Sequence, residues 1–197
     1  MYCYVKRWLD IILSLTGMIL LSPLLLLLSI AIKLDSQGPV LFRQKRIGKN
    51  KKEFYILKFR TMRMEAPRDM PTHLLKHPEQ YITRTGKFLR KTSLDELPQI
   101  LNVIRGEMSL IGPRPALWNQ RDLIEEREKY GANNVPAGLT GWAQINGRDE
   151  LSIEEKARLD GEYVKQQSFL FDCKCLLGTI GCVLRQKGVL EGGNGKQ

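Results

Sequence analysis

The most prominent feature of the hydrophobic pattern is a long apolar run near the N-terminus. It covers Ile11–Ile32, which are 22 consecutive uncharged residues bracketed by Asp10 and Lys33. A helix of about 20 apolar residues crosses the hydrocarbon core of a bilayer. A core helix is a poor alternative, because Leu24–Leu28 is apolar on every face and a small domain cannot easily surround it. The pattern therefore predicts a membrane helix over residues 1–35.

Ser22 and Pro23 divide this run into twelve residues before the proline and nine after it. At about 1.5 Å per residue the two halves reach roughly 18 and 14 Å, so neither half crosses the bilayer alone. Proline removes one helical hydrogen bond, and a serine hydroxyl can bond the freed backbone group. Basic residues flank both ends of the run, which favours a re-entrant helix with a break and both ends in the cytoplasm. A proline-kinked spanning helix with its N-terminus outside is equally compatible with the residues alone.

The rest of the chain combines short extended runs with helical patterns. Extended segments are predicted at Val40–Phe42 and Phe54–Phe59, on either side of a turn at Gly48–Asn50. Helices are predicted at Pro98–Arg105, Ala116–Tyr130 and Ile153–Gln166, and an interfacial or packing helix at Phe169–Leu184. We expect a loop over 64–80 and a flexible tail over 191–197. The predicted fold is α+β and mainly helical, with residues 36–190 forming one small domain behind the membrane helix.

Net charge is distributed unevenly along the 197 residues. The chain carries +10, of which +8 falls within residues 33–63, directly after the apolar run. Such a block attracts anionic lipid headgroups, by about 1 kcal/mol for each basic residue near the surface. It also resists translocation, which argues against a cleaved signal peptide. Nucleic acid is disfavoured as a partner, because the block lacks interleaved stacking aromatics on a known nucleic-acid-binding module and adjoins a lipid-facing helix.

The densest cluster of chemically active residues is Lys91–Gln99, which contains adjacent carboxylates. One interpretation is structural, since Ser93 and Glu96 have the spacing of a helix capping box. Pro98 weakens it, because proline prefers the first position of a helix. If a helix begins at Pro98, Asp95 and Glu96 lie just outside its positive end. A carboxylate there stays ionised with a lowered pKa and can act as a nucleophile toward phosphorus or as a metal ligand.

Three further clusters are candidates for binding residues. Two prolines in Gly112–Pro115 fix the backbone around Arg114, although a plain rigid turn would look the same. Lys58 and Arg60 are two apart, so on a strand they would face the same side, as suits a diphosphate. The glycine-rich segment Gly138–Arg148 can pack close to a base or a sugar, or it can be a structural turn.

Taken together, these motifs and their order resemble the small monotopic phosphoglycosyl transferases of bacteria. These are the initiating sugar transferases of glycan and exopolysaccharide assembly, and the similarity runs from Lys6 to about Leu190. The motifs that carry it are Lys6-Arg7-x-x-Asp10, Ser22-Pro23, Gly38–Gly48, Lys58–Met62, Leu89–Gln99, Met108–Pro115 and Leu139–Arg148.

The resemblance implies transfer of a phospho-sugar from a UDP-sugar to undecaprenyl phosphate, with Mg²⁺ and release of UMP. It implies that Asp95 is the nucleophile, forming an aspartyl phospho-sugar, and that Glu96 and Asp95 bind the metal. The expected phosphate- or substrate-binding residues are Lys58, Arg60, Arg90, Arg114, Arg148 and Asp160. It also implies a re-entrant helix with its break at Ser22-Pro23 and a catalytic domain on the cytoplasmic face of the inner membrane.

The sequence also departs from the family pattern at two places. Glu79-Gln80-Tyr81 stands where many members have Asp-x-Arg, and Val135–Gly138 stands where many have Arg-Pro-Gly. The alternative function is a conventional membrane-bound glycosyltransferase, which moves only the sugar and releases UDP. The sequence does not distinguish which sugar is transferred or whether the chain forms a homodimer.

Overall fold

A computed structural model describes residues 2–67, 75, 77–147 and 150–185. The predicted tail at 191–197 and residues 68–74 and 76 of the predicted loop lie outside the described residues. The helices are α1 (Tyr2–Asp35), α2 (Arg84–Thr92), α3 (Ile100–Arg105), α4 (Arg121–Glu128), α5 (Trp142–Ile145), α6 (Ile153–Gln166) and α7 (Phe169–Arg185). The strands are β1 (Leu41–Ile47), β2 (Glu53–Phe59), β3 (Ser109–Ile111), β4 (Ala116–Leu117) and β5 (Gly138–Thr140). Short 3₁₀ turns occur at Lys49–Lys51, Pro78–Gln80, Leu94–Gln99 and Ala132–Asn134.

Helix α1 is continuous over 34 residues and contains Pro23 in its interior. Within the described part of the chain it is the one helix long and apolar enough to cross a membrane. The expected break at Ser22-Pro23 is not an interruption of helical structure. The missing N–H of Pro23 would have bonded the carbonyl of Ile19, and the Ser22 hydroxyl donates to that carbonyl at 2.8 Å instead. The serine therefore compensates for the proline, as predicted, and the helix runs through.

The N-terminal end of α1 is bound to the domain by buried polar contacts. Lys6 Nζ lies 2.5 Å from an oxygen of Asp172 on α7, and both side chains are buried. The carboxylate of Asp10 accepts hydrogen bonds from the Ser109 hydroxyl at 2.7 Å and the Leu110 N–H at 3.1 Å. These contacts satisfy charges that would otherwise be buried alone. The first turns of the helix therefore belong to the same folded unit as β3 and α7.

The C-terminal end of α1 is bound to the same domain. Leu28 and Ile32 pack in one buried cluster with Phe59 of β2 and Leu89 of α2. One turn later, a carboxylate oxygen of Asp35 accepts the backbone N–H of Thr85 in the first turn of α2, at 2.8 Å. Both ends of the membrane helix are therefore attached to the domain, while most of its middle is exposed.

Two small sheets form the β part of the domain. The first is antiparallel, with strand order β2-β1-β4, and Leu41 pairs with Phe59 at one end of the β1–β2 hairpin. The second is a parallel pair of β3 and β5. The predicted extended segments are confirmed, and β1 runs farther than expected, to Ile47.

The predicted helices are confirmed in part. Helix α6 has the predicted bounds and begins with a capping box formed by Ser152 and Glu155. The predicted helix Ala116–Tyr130 is wrong at its start, because Ala116–Leu117 is a buried strand beside β1 and the helix covers only Arg121–Glu128. The reason is that these two apolar residues fill the edge of the first sheet, while the charged helical pattern begins after them. Helix α7 leaves several large apolar side chains exposed, namely Phe169, Leu170, Leu176, Leu177 and Ile180.

Candidate active site

The adjacent carboxylates lie on the 3₁₀ turn Leu94–Gln99, between α2 and α3. Ser93 ends α2 in the left-handed conformation, with φ of 57°, and its side chain caps no backbone group. The capping-box interpretation of Ser93 and Glu96 is therefore wrong. The predicted helix Pro98–Arg105 is confirmed over Ile100–Arg105 but not at its start, because Pro98 lies within the turn. The sharp reversal at Ser93 instead directs Asp95 and Glu96 into a cavity of the domain.

Glu96 is held between two cations that come from distant parts of the chain. Its Oε1 lies 2.7 Å from Lys58 Nζ on β2 and 2.6 Å from Arg114 Nη2 in the loop between β3 and β4. Arg114 Nη1 also donates to Oε2, at 3.3 Å. The arginine therefore grips the carboxylate with both terminal nitrogens, a geometry that suits carboxylates and phosphates alike.

The two carboxylates have opposite pKa shifts. Burial would raise the pKa of Glu96, but the charges of Arg114 and Lys58 outweigh it and hold that pKa well below its usual range. Burial raises the pKa of Asp95, helped by the neighbouring charge of Glu96 and opposed by Lys58. Burial also lowers the pKa of Lys58. The expectation of lowered values is therefore correct for Glu96 and wrong for Asp95, because the two cations bond directly to Glu96.

The loop that carries Arg114 is positioned by close backbone approach. A Cβ atom on Gly138 would lie 2.1 Å from the Gly112 nitrogen, and a Cβ atom on Gly141 would lie 2.1 Å from the Gly112 oxygen. These glycines therefore let β5 and the start of α5 pack directly against the Gly112–Pro115 segment. The two motifs that the sequence singled out separately form one structural unit.

The carboxylates open into a cavity of about 670 Å³. That volume is within the range of small-molecule sites. Among the described residues that line it, nine are basic and three are acidic, which gives the walls a formal charge of +6 and suits a polyanion. Seven of the eight predicted site residues line this cavity, namely Lys58, Arg60, Arg90, Asp95, Glu96, Arg114 and Asp160. The eighth, Arg148, lies outside the described residues.

Arg60 lines the cavity but uses its guanidinium elsewhere. It donates to the carbonyls of Gln37 and Ser36, both at 2.6 Å, and also to the Ser36 hydroxyl. Its side chain is buried, and it follows β2 rather than lying on it. The expected pairing of Lys58 and Arg60 on one diphosphate is therefore revised, since Arg60 ties the segment after α1 to the domain.

Asp160 is fully buried on α6 and binds Arg127, a residue that the sequence did not indicate. Arg127 of α4 donates from Nε at 2.8 Å and from Nη2 at 2.6 Å, both to Oδ2 of Asp160. Burial raises the pKa of Asp160, and the charge of Arg127 opposes that shift. Arg127 was hidden among the many charged residues of its helix, and no local signal separates it from the exposed ones.

A family model described as bacterial sugar transferase matches residues 1–186. The uncharacterized sugar transferase EpsL of Bacillus subtilis is 41% identical over 186 residues, which cover 94% of this chain and 90% of that protein. The undecaprenyl-phosphate glucose phosphotransferase of Komagataeibacter xylinus is 43% identical over 185 residues, and the UDP-glucose:undecaprenyl-phosphate glucose-1-phosphate transferase of Escherichia coli is 40% identical over 182.

The matched regions differ in how much of each relative they cover. They cover 89% of this chain in both longer relatives, but only 35% of the Komagataeibacter protein and 39% of the Escherichia coli protein. The resemblance deduced from the motifs is confirmed, because the family model and the relatives extend over nearly the whole chain. The chain belongs to the bacterial sugar transferase family.

Proposed function

We propose that the chain transfers a sugar phosphate from a UDP-sugar to undecaprenyl phosphate, producing the polyprenyl-diphosphate sugar and UMP. The observation that carries this proposal is the carboxylate pair Asp95 and Glu96, set beside Lys58 and Arg114 in a strongly basic cavity. A cavity of this charge fits a nucleoside diphosphate and a lipid phosphate. Relatives whose names state undecaprenyl-phosphate sugar transfer support the same reaction.

The arrangement favours Asp95 over Glu96 as the nucleophile. Both oxygens of Glu96 accept hydrogen bonds from cations, which reduces their nucleophilicity. Burial raises the pKa of Asp95, whereas the charges of Arg114 and Lys58 hold the pKa of Glu96 well below its usual range. A carboxylate whose pKa is raised is the stronger base and the better nucleophile once it is ionised. Glu96 in turn holds Lys58 and Arg114 at fixed positions, ready for phosphate oxygens.

The proposed reaction has two displacements at one phosphorus atom. A carboxylate oxygen of Asp95 attacks the phosphorus that bears the sugar, and the bond from that phosphorus to the bridging oxygen breaks, so UMP leaves with that oxygen. A phosphate oxygen of undecaprenyl phosphate then attacks the same phosphorus and releases the Asp95 carboxylate. Lys58 and Arg114 stabilise the negative charge on the phosphate oxygens in both steps.

Magnesium is proposed as the cofactor from the resemblance. Among the described residues, no three His, Cys, Asp or Glu side chains lie close enough together to hold a metal ion. Asp95 and Glu96 nevertheless fit Mg²⁺, which is commonly bound by one or two carboxylates together with substrate phosphates. Bound there, the ion would neutralise charge on the diphosphate.

We also propose a monotopic topology with the domain on the cytoplasmic face. A spanning helix would separate its two ends by the roughly 30 Å hydrocarbon core, yet Lys6 and Asp35 both bind the same domain. The exposed apolar residues of α7 fit a helix lying in the membrane interface. The basic flanks of α1 favour the cytoplasmic side and contact with anionic lipids.

The test is an assay of nucleotide release by the membrane-reconstituted protein, with undecaprenyl phosphate and a panel of UDP-sugars. We expect UMP as the by-product with at least one donor. Release of UDP would overturn the proposal in favour of a conventional glycosyltransferase.

A variant separates the mechanism from the overall reaction. Asp95→Asn removes the nucleophile, so we expect loss of transfer and loss of the added mass of a sugar phosphate on the intact protein after incubation with donor alone. Asp122→Asn, an exposed carboxylate on α4, is the matched control and should behave as the wild type. Full activity of the Asp95→Asn variant, or equal labelling of both variants, would refute the nucleophile assignment.

A further inference from the structure

A second set of polar groups lines the same cavity, apart from the phosphate-binding cations. Gln144 on α5 is 6% exposed, and neither its carboxamide oxygen nor its nitrogen has a hydrogen-bond partner among the described residues. Asp160 is 0% exposed, and its Oδ1 also lacks a partner there, because Arg127 binds only Oδ2. Both residues line the cavity.

Unpaired buried polar atoms of this kind are rare. The large majority of buried side-chain polar atoms in proteins have a hydrogen-bond partner. Gln144 and Asp160 together place two acceptors and one donor that have no partner among the described residues on the wall of one cavity. The Nε of Arg60, which also lines the cavity, is a further donor without such a partner. We therefore interpret them as hydrogen-bonding groups whose partners are provided by a bound ligand.

The chemistry of these atoms restricts the ligand. Asp160 Oδ1 and the Gln144 oxygen are acceptors, so the ligand must provide two donors, and it must accept one bond from the Gln144 nitrogen. Ionised phosphates and a polyprenyl chain have no donors. The base of a uridine nucleotide has a single N–H. Two neighbouring hydroxyl groups satisfy the whole set, because each hydroxyl both donates and accepts.

We propose that Gln144 and Asp160 bind hydroxyl groups of the donor substrate, either on its transferred sugar or on its ribose. This inference rests on the proposed function, since it assumes a UDP-sugar donor. Arg127 holds Asp160 through two bonds to Oδ2, which leaves Oδ1 available to a ligand. Gly141 lets the start of α5 pack against the backbone of Gly112, which lies in the same loop as Arg114. Gln144 on α5 is therefore held at a fixed position relative to Arg114.

The test compares Gln144→Met with the wild type in the UMP-release assay. Methionine has a similar shape and removes both hydrogen-bonding atoms, and Gln166→Met, on the exposed face of α6, is the matched control. We expect KM for the UDP-sugar to rise roughly tenfold for each hydrogen bond lost, while kcat falls less. Because the amide has no protein partner, thermal stability should be unchanged or increased. An unchanged KM would overturn the inference.

Inhibition by UMP and by its 2′,3′-dideoxy analogue identifies the hydroxyl-bearing ring. If Gln144→Met weakens inhibition by UMP but not by the dideoxy analogue, the site binds ribose. If neither changes while KM rises, it binds the transferred sugar. If inhibition by both weakens equally, the contact is to the base and the proposal is wrong. A wild-type protein that releases no UMP with any donor would instead refute the proposed function.

Discussion

The buried ion pair between Lys6 and Asp172 provides a quantitative test of how the membrane helix is attached. The two side chains are 7% and 11% exposed, and they lie 2.5 Å apart. Removal of one partner from a buried pair costs about 3–5 kcal/mol, because the other charge is left uncompensated. Asp172 also accepts hydrogen bonds from the hydroxyls of Tyr2 and Tyr163, at 2.6 and 2.9 Å. These donors would remain in Lys6→Met, so we expect the lower end of the range, about 3 kcal/mol.

This loss is large enough to measure by thermal unfolding of the reconstituted protein. In a domain of this size 1 kcal/mol corresponds to about 2–4 °C in Tm, so Lys6→Met should unfold about 6–12 °C below the wild type. The matched control is Lys129→Met, which breaks an exposed pair with Glu126 and should leave Tm close to the wild-type value.

A double variant separates the ion pair from general damage to the helix. Lys6→Met with Asp172→Asn removes both charges. The asparagine oxygen keeps an acceptor for one tyrosine hydroxyl, and its NH₂ can donate to the other. Asp10, which lies 4.0 Å from Lys6 Nζ, loses that cation in both variants, so the two variants differ only in the charge at position 172. Because the double variant leaves no unpaired charge there, it should be more stable than Lys6→Met alone. If Lys6→Met unfolds at the wild-type temperature, or if the double variant is less stable than the single one, the N-terminal end of α1 is not attached in this way.

Two further predictions concern the active site. Because burial raises the pKa of Asp95 above its ordinary value of 3.8, the acid limb of kcat/KM should lie above that value, and Arg114→Gln, which removes a charge that lowers this pKa, should move it to higher pH. A limb that stays fixed or moves to lower pH would contradict the assignment. Gly138→Ala forces a Cβ to within 2.1 Å of Gly112, so stability should fall by about 1–3 kcal/mol together with transferase activity. Gly181→Ala, with no atom within 4 Å of the added carbon, is its control, and equal behaviour of the two variants would refute the packing argument.

The local sequence pattern was sufficient to predict those elements that are stabilised by residues close together in the chain. The apolar run predicted α1, and the helical period with its cap predicted α6. The role of Ser22 could also be predicted, because the carbonyl freed by Pro23 lies within reach of the same helical turn. The candidate carboxylates were found from their unusual adjacency, although a common capping motif explained them equally well.

The contacts of the other site residues are determined by partners that are distant in the sequence, so the local pattern did not predict them. Ser93 and Glu96 have capping-box spacing, but Lys58 and Arg114, which lie 38 and 18 residues from Glu96, attract the glutamate away from the backbone. Arg60 lies two residues from Lys58, as suits a phosphate-binding pair, but its guanidinium donates its hydrogen bonds to the segment after α1. In each case the sequence separation between partners is too large for spacing rules to connect them.

The structure also shows that most of the basic residues in 33–63 line the cavity or form ion pairs. Five of its ten basic residues line the cavity, namely Arg43, Arg46, Lys58, Arg60 and Arg63. Two of the others form ion pairs with acidic side chains, Lys45 with Glu53 and Lys51 with Glu128.

The charge left for anionic lipids is therefore smaller than the sequence suggests. Lys33, Lys49 and Lys52 are the cations of the block outside both groups, and in the proposed topology they would contribute only about 3 kcal/mol to membrane binding, at about 1 kcal/mol each. The exposed apolar residues of α1 and α7 are far more numerous, and each buried side chain contributes about 1.5–3 kcal/mol. Membrane attachment should therefore depend mainly on apolar burial and withstand high salt, whereas substrate binding at the cavity should weaken as salt screens its cations.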